Sequence, residues 1–104
     1  MILTNIETVP GKEIAEHYGL VCGSTVRAKN VFKDIGAGFK NIVGGEMKSY
    51  TALLEEARQQ AISRMTEQAQ QLGANAIINV RFSTSNIAQG ASELYVYGTA
   101  VKVQ

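Results

Sequence analysis

The most regular pattern of apolar and polar positions in this chain of 104 residues lies between Ser49 and Leu72. The stretch holds no Gly or Pro, and its apolar residues recur every three or four positions, which predicts one long amphipathic helix. Ser49 is the predicted N-cap and Gly73 the predicted stop. Small residues are prominent on the apolar face, so we expect another element to approach closely and part of the helix to contact another subunit. This face consists of Tyr50, Leu54, Ala57, Ala61, Met65, Ala69 and Leu72.

Two stretches near the C terminus alternate with a period of two, which predicts β-strands over Asn75 to Ser83 and over Leu94 to Val103. The second strand is apolar on both faces, so we expect both faces to be covered. The polar stretch from Thr84 to Ser92 predicts a long hairpin connection between the strands. One face of the first strand is expected to carry Ala76, Ile78, Val80 and Phe82, and one face of the second Tyr95, Tyr97, Thr99, Val101 and Val103.

Shorter elements are predicted in the N-terminal part of the chain. Ile2 to Asn5 is β-prone, and Lys12 to Tyr18 is predicted to form a short helix with Pro10 in its first turn and Gly19 at its end. Leu20 to Lys29 is predicted to form a strand because it contains β-branched residues.

A second short helix is predicted between residues 31 and 43, where four apolar residues recur at the spacing of one helical face and two glycines interrupt them. The order of elements predicts one α+β domain over residues 1–104. In this domain a small antiparallel or mixed sheet is packed by one long and two short helices. The apolar residues of the broken helix are Phe32, Ile35, Phe39 and Ile42, and its glycines are Gly36 and Gly38.

Composition narrows the class of protein. The chain is 45% hydrophobic and 18% charged with a net charge of +1, which excludes a disordered chain and argues against nucleic acid as a partner. No secretory signal pattern occurs at the start, and no apolar run approaches the roughly 20 residues of a membrane-spanning helix. A single cysteine fits a reducing compartment, so we expect a cytoplasmic protein without membrane contact.

Four blocks of sequence follow one another in a recognisable order, namely Asp34 to Gly45, Tyr50, Leu72 to Ile77, and Gly98 to Val101. Together they resemble the YbjQ family of small bacterial proteins over nearly the whole chain. That family is labelled "putative heavy-metal-binding domain", and its biochemical function is unassigned. The resemblance implies a dodecin-like subunit that forms a ring, a homopentamer with sheet pairing between subunits.

The first requirement for a metal site is a sufficient number of ligands. Soft divalent metal ions prefer thiolate and imidazole donors, three or four to a site, and this chain offers only Cys22 and His17. A metal site would therefore need ligands from several subunits, at an interface or on a ring axis, with added oxygens from Glu13, Glu16 or Glu46. The alternative is structural, with His17 as a surface residue and Cys22 as a small buried hydrophobe.

A second candidate site lies at the start of the long helix. Gly44 and Gly45 would let backbone N–H groups approach an anion, with Lys48 as the nearest cation and the helix dipole at Ser49 adding a favourable field. Glu46 lies in the same segment. The alternative is a Gly-Gly hinge between two helices, because the segment matches neither a P-loop nor a dinucleotide fingerprint.

No catalytic constellation is visible in the sequence. Cys22 and His17 are the only conventional nucleophile and base, and no third residue orients them, so an enzyme is not expected. The sequence favours a ring-forming protein that binds a small ligand or a divalent metal ion at subunit interfaces. The alternative is a structural or protein-interaction module without a small ligand, which displays the Thr84 to Ser92 segment.

Overall fold

Four strands and one helix form the part of the chain that the computed structural model describes, residues 1–28, 46–89 and 91–104. The sheet order is β1-β3-β4-β2, with β1 parallel to β3 and the other pairs antiparallel. This is an open mixed sheet, which confirms the predicted α+β class, and the helix predicted over 31–43 lies outside the described residues. The elements are β1 (Ile2–Leu3), β2 (Ile14–Ala28), α1 (Glu46–Gln71), β3 (Ala76–Ala88) and β4 (Ala91–Val103).

The long helix α1 is confirmed, and its end follows the predicted signal. Gly73 adopts a φ of 90°, and its N–H donates to the carbonyl of Gln70 while the N–H of Ala74 donates to the carbonyl of Ala69. This pair of bonds is a Schellman cap, which requires the left-handed conformation that glycine adopts freely. The predicted start is wrong, because the helix already includes Glu46 and therefore contains Ser49 in its interior rather than at an N-cap.

The small residues of α1 pack against the sheet of the same chain. Ala57, Ala61, Met65 and Ala69 are at most 2% exposed. A Cβ added to Gly23 of β2 would collide with the backbone carbonyl of Ala61. Glycine on the strand and alanine on the helix thus allow the closest approach of α1 to the sheet. The core between them also includes Val21, Ala74, Ile77, Val96 and Ala100.

The short helix predicted over Lys12 to Tyr18 is wrong, because β2 begins at Ile14. Ile14 pairs with Val103, and Glu13 and Gln104 exchange two backbone hydrogen bonds, so the C-terminal strand extends this segment as its partner. A ladder along the whole of β4 satisfies more backbone groups than one or two isolated helical turns, which are unstable by themselves.

Two residues taken as helix signals have other roles. The N–H of Lys12 donates to the carbonyl of Val9 at 3.0 Å, and Gly11 has a φ of 82°. Pro10 and Gly11 are therefore the central residues of a type II turn. Gly19, with a φ of 98°, lies where the register between β2 and β4 shifts. It forms an irregularity in the strand instead of a helix cap.

A bulge in β3 overturns the predicted alternation. Asn79 has a φ of 53°, and the register with β4 gains an extra residue between Ile78 and Arg81. Ile77 and Val80 therefore both face α1, whereas Ala76 and Ile78 face the opposite side. A strict period of two had placed Val80 and Phe82 with Ala76 and Ile78, and one inserted residue reverses that assignment.

The long hairpin connection predicted over Thr84 to Ser92 is also wrong. Both strands continue through most of it, and Ala88 pairs with Ala91. Residues 81–89 are all exposed, so this part of the hairpin is an arm that extends beyond the core. Most of its residues are polar, which agrees with exposure to water on both faces, and Phe82 and Ile87 are exposed apolar residues among them.

The sheet face opposite α1 has its own small core at one end. Val9 and Ile14 pack there against Val101 and Val103, with Ala76 and Ile78. This cluster confirms that both faces of β4 are covered near its C-terminal end. The N-terminal segment provides the cover on the second face.

Candidate functional site

The other end of that second face is open in the described part of the chain. The register pairs Cys22 with Tyr97 and Ser24 with Tyr95, so these side chains share the side of the sheet away from α1. Leu20 and Val26 on the same side are 69% and 51% exposed. We call this surface the open face, defined by Leu20, Cys22, Ser24 and Val26 of β2 with Tyr95, Tyr97 and Thr99 of β4.

Cys22, Tyr95 and Tyr97 form a contact cluster on the open face. The two tyrosine rings stack with centroids 5.4 Å apart and an interplanar angle of 29°. The Tyr95 hydroxyl lies close enough to the Cys22 thiol to interact with it. Cys22 is half-buried, and its backbone N–H donates to Oε1 of Gln68 at 2.7 Å. The backbone at Cys22 is thus fixed by α1, and its thiol lies beside the two tyrosines and is partly accessible to an external ligand.

The cluster changes the acidity of Tyr95. Its pKa is raised above the usual value of 10.0, first by the hydrogen bond to Cys22 and then by desolvation and by the negative charges that Cys22 and Glu93 can carry. A raised pKa in the folded state means that the phenol loses its proton more readily after unfolding. This contribution to stability is therefore complete below about pH 10 and is lost as the pH rises through the pKa of the folded state.

Replacing Cys22 by alanine is expected to lower the pKa of Tyr95 towards 10.0, because the largest cause of its upward shift disappears. Tyrosinate absorbance or ring carbon chemical shifts, followed as the pH is raised, measure this change. Ser83→Ala is the control, since that exposed residue pairs with Tyr95 from the other neighbouring strand. An unchanged Tyr95 titration in the Cys22 variant would contradict the assigned hydrogen bond.

The structure separates the two predicted metal ligands. His17 and Cys22 lie on the same strand, and at about 3.3 Å per residue they are roughly 15 Å apart along it. His17 is exposed, as the structural alternative expected. Nowhere in the described ranges do three His, Cys, Asp or Glu residues come together as a possible metal site. Within one chain, Cys22 and His17 are therefore too far apart to bind the same metal ion.

The predicted anion site is described only in part. Gly44 and Gly45 lie outside the described residues, whereas Glu46, Lys48 and Ser49 belong to the first turns of α1. The helix backbone at this position agrees with a favourable dipole for an anion.

The outer edge of β2 is covered in part by side chains of α1. Gln68 accepts from the Cys22 N–H, and Arg64 donates through Nη1 to the carbonyl of Ser24. A strand from another subunit would have to displace both contacts to pair along this part of β2. Sequence reasoning missed Tyr95, Gln68 and Arg64. Of these three residues, only Tyr95 had a signal in the sequence, namely its predicted place on the same strand face as Tyr97.

One specific sequence block has a structural role. The Asn75 side chain donates through Nδ2 to the carbonyl of Val103 at 2.9 Å and accepts from the Val103 N–H at 2.8 Å. The side chain thereby pairs with β4 as the backbone of a neighbouring strand residue would. It does so directly after the cap formed by Gly73 and Ala74. The Gly-Ala-Asn-Ala block is accounted for by the connection between α1 and β3.

Comparison with known proteins supports one family and one fold. The YbjQ family model, described as "Putative heavy-metal-binding", matches residues 1–104. UPF0145 proteins from Hahella chejuensis and Archaeoglobus fulgidus are 64% and 56% identical over 100% of this chain, and over 100% and 96% of their own lengths. A crystal structure of a protein of unknown function from Pediococcus pentosaceus matches with a TM-score of 0.65 at 15% identity, over 100% of this chain and 98% of that one. In the described part of this chain, no helix combines the length and the apolar character needed to cross a bilayer.

Proposed function

Because this chain belongs to the YbjQ family, we propose that it is a ring-forming protein that binds a small ligand or a soft divalent metal ion between its subunits. The observation that carries the proposal is the half-buried Cys22 thiol on the open face, which lies next to Tyr95 while Gln68 bonds to the Cys22 backbone. A positioned thiol beside two stacked tyrosines is a suitable donor for a soft ion, and it lacks only further ligands.

The further ligands in this proposal come from other subunits. Soft metal ions need three or four donors, and the described residues bring no such group together within one chain. A ring repeats each Cys22 by symmetry, so a homopentamer presents five thiols from one position in the sequence. His17 is the second proposed ligand, and its distance from Cys22 along β2 supports binding to a neighbouring subunit's ion rather than to the ion at its own Cys22.

The surface around Cys22 supports assembly. Leu20 and Val26 flank it on the open face, and both expose more than half of their side-chain surface. Exposed apolar residues next to aromatic side chains are typical of surfaces that another protein covers. A second subunit on this face would exclude water from the Cys22 cluster, which strengthens metal–thiolate and hydrogen-bonding interactions there.

For an anionic small ligand, the proposed contact is the start of α1, through Lys48 and the N–H groups of the first turn. The single cysteine supports a reducing compartment, and a cytoplasmic location stays a prediction.

Native mass spectrometry of untagged protein purified without chelator tests assembly and binding together. We expect a pentamer that takes up cadmium or zinc with fewer ions than subunits, because several chains share one ion. Cys22→Ser is expected to keep the pentamer mass and to abolish the uptake. Ser24→Ala, two residues along the same face, is the matched control and is expected to bind as the unaltered protein does.

A monomer at all accessible concentrations would contradict the ring, and unchanged metal stoichiometry in Cys22→Ser would remove this residue as a ligand. His17→Ala extends the test to the second proposed ligand. Reduced uptake in that variant, with the pentamer intact, would support ligands donated from two neighbouring subunits.

The alternative function is a protein-interaction module without a small ligand. The observation in its favour is the exposed hairpin arm of residues 81–89, which extends beyond the core with polar side chains. A pentamer that carries no small molecule and takes up no metal would favour this alternative. The same mass spectra therefore decide between the two functions.

A further inference from the structure

A groove of about 790 Å³ lies between the N-terminal segment, α1 and β3. Its walls are mainly apolar, with Leu3 and Ile6 from the N-terminal segment, Ile62 from α1, and Val80 and Phe82 from β3. The volume falls in the range of roughly 300–1,000 Å³ that small-molecule sites occupy. The part of the lining formed by Ile62, Val80 and Phe82 lies on the α1 side of the sheet, whereas Arg81 pairs with Tyr97 and starts from the opposite side.

The groove follows from the fold. The helix α1 packs over β2 and β4, so that among the described elements the β3 side of this face is left largely uncovered. The bulge at Asn79 directs Val80 to this face, and Phe82 follows it two residues later. Ile6 and Phe82 remain 48% and 46% exposed. A strand without the bulge would have placed both β3 side chains on the other face.

Arg81 is the one charged residue among the described groove lining. Its Nη1 donates to the carbonyl of Asn5 at 2.6 Å and to the carbonyl of Val80 at 3.0 Å. Asn5 and Val80 both belong to the groove lining, so these bonds bring the guanidinium of Arg81 from the Tyr97 side of the sheet to that lining. Its remaining N–H donors have no partner within the described residues, and a guanidinium offers five donors in total.

We propose that this groove binds a small apolar carboxylate, with its hydrocarbon part against Ile6, Ile62 and Phe82 and its carboxylate on Arg81. Charge complementarity selects this class of ligand, because an apolar site with one fixed cation favours an apolar molecule with one anionic end. The site is complete within a single chain, so the proposal goes beyond the shared site proposed above and does not depend on it.

Competition with a neutral fluorescent reporter tests the charge preference. Phenylnaphthylamine fluoresces in apolar sites, and the chain contains no tryptophan to interfere. Decanoate and decanol are matched competitors that differ in their charge. We expect decanoate to displace the reporter at a concentration about tenfold or more below that of decanol, since a charge-assisted hydrogen bond accounts for about one factor of ten or more. Calorimetric titration with decanoate checks the binding directly.

Variants then locate the site. In Arg81→Gln the preference for decanoate is expected to disappear while the affinity for decanol stays, which also shows that the groove remains folded. Phe82→Ser is expected to weaken both competitors. Leu20→Ser, at an exposed apolar residue on the open face, is the matched control and is expected to change neither.

Absence of decanoate binding, equal binding of decanoate and decanol, or a preference that survives Arg81→Gln would overturn the proposal. Loss of both competitors in Leu20→Ser would place the reporter on the open face and would also overturn it. A lower oligomer mass in Phe82→Ser, together with no decanoate binding to the unaltered protein, would assign the groove to a contact with a second copy. None of these outcomes depends on metal uptake at Cys22, so the two proposals fail or succeed separately.

Discussion

Gly23→Ala is expected to lower the free energy of unfolding by about 3 kcal/mol, the upper end of the usual cost of overpacking a core. The added Cβ would overlap the carbonyl of Ala61 and lie 2.6 Å from the backbone N of Met65. Both are backbone atoms of α1, so no side chain can rotate away and the whole helix must move off β2. Urea denaturation at one fixed protein concentration measures the effect, because the stability of an oligomer depends on concentration.

Gly11→Ala is the control, because it also replaces a glycine by alanine but brings the new Cβ into contact with no other atom. No atom lies within 4 Å of a Cβ at Gly11, but its φ of 82° is unfavourable for alanine, which costs about 1 kcal/mol. Gly23→Ala should therefore cost clearly more than Gly11→Ala. Equal losses would mean that α1 lies farther from β2 than described.

Met65→Ala is expected to cost about 2–5 kcal/mol for the opposite reason, because it leaves a cavity in the core. Met65 is fully buried and is the largest of the completely buried side chains, packed between α1 and the sheet. Met65→Leu, which nearly conserves volume, is expected to cost less than about 1.5 kcal/mol. Thermal and denaturant unfolding of both variants measure the difference.

Leu54→Ala provides the matched control on the same helix. Leu54 is 45% exposed, so truncation removes little buried surface, and alanine favours the helix. We expect a change within about 1 kcal/mol. A loss as large as that of Met65→Ala would show that Leu54 is covered in solution, for example by another subunit, whereas an equally small loss at Met65 would contradict the described core.

The packing of Gly23 and Met65 bears directly on the candidate site. Val21 and Gly23 face α1, so the residue between them, Cys22, faces away from it. The helix also supplies Gln68, which holds the Cys22 backbone. A helix displaced by Gly23→Ala would therefore change the position of the thiol without any change in its chemistry. The proposed metal uptake is then expected to fall along with stability.

Local sequence was sufficient where one segment decides its own conformation. The helix α1, its stop at Gly73 and the two C-terminal strands were all predicted, because periodicity and glycine signals act within a few residues. The α+β class followed from the same elements, and the family followed from four blocks of sequence that resemble it. Cys22 was a candidate from composition alone, since a soft metal has few other possible ligands in this chain.

Contacts between distant segments decided the rest. Residues 14–18 are strand because the C-terminal strand pairs with them, and one extra residue at Asn79 moves Val80 and Phe82 to the face where the groove lies. Neither event has a strong local signal, because strand pairing and register depend on a partner far along the chain. The contact of Cys22 with Tyr95, and the anchoring of Arg81 at the groove, exist only after β2, β3, β4 and the N-terminal segment have assembled. Each residue type is read directly from the sequence, but the sheet register determines which residues it contacts.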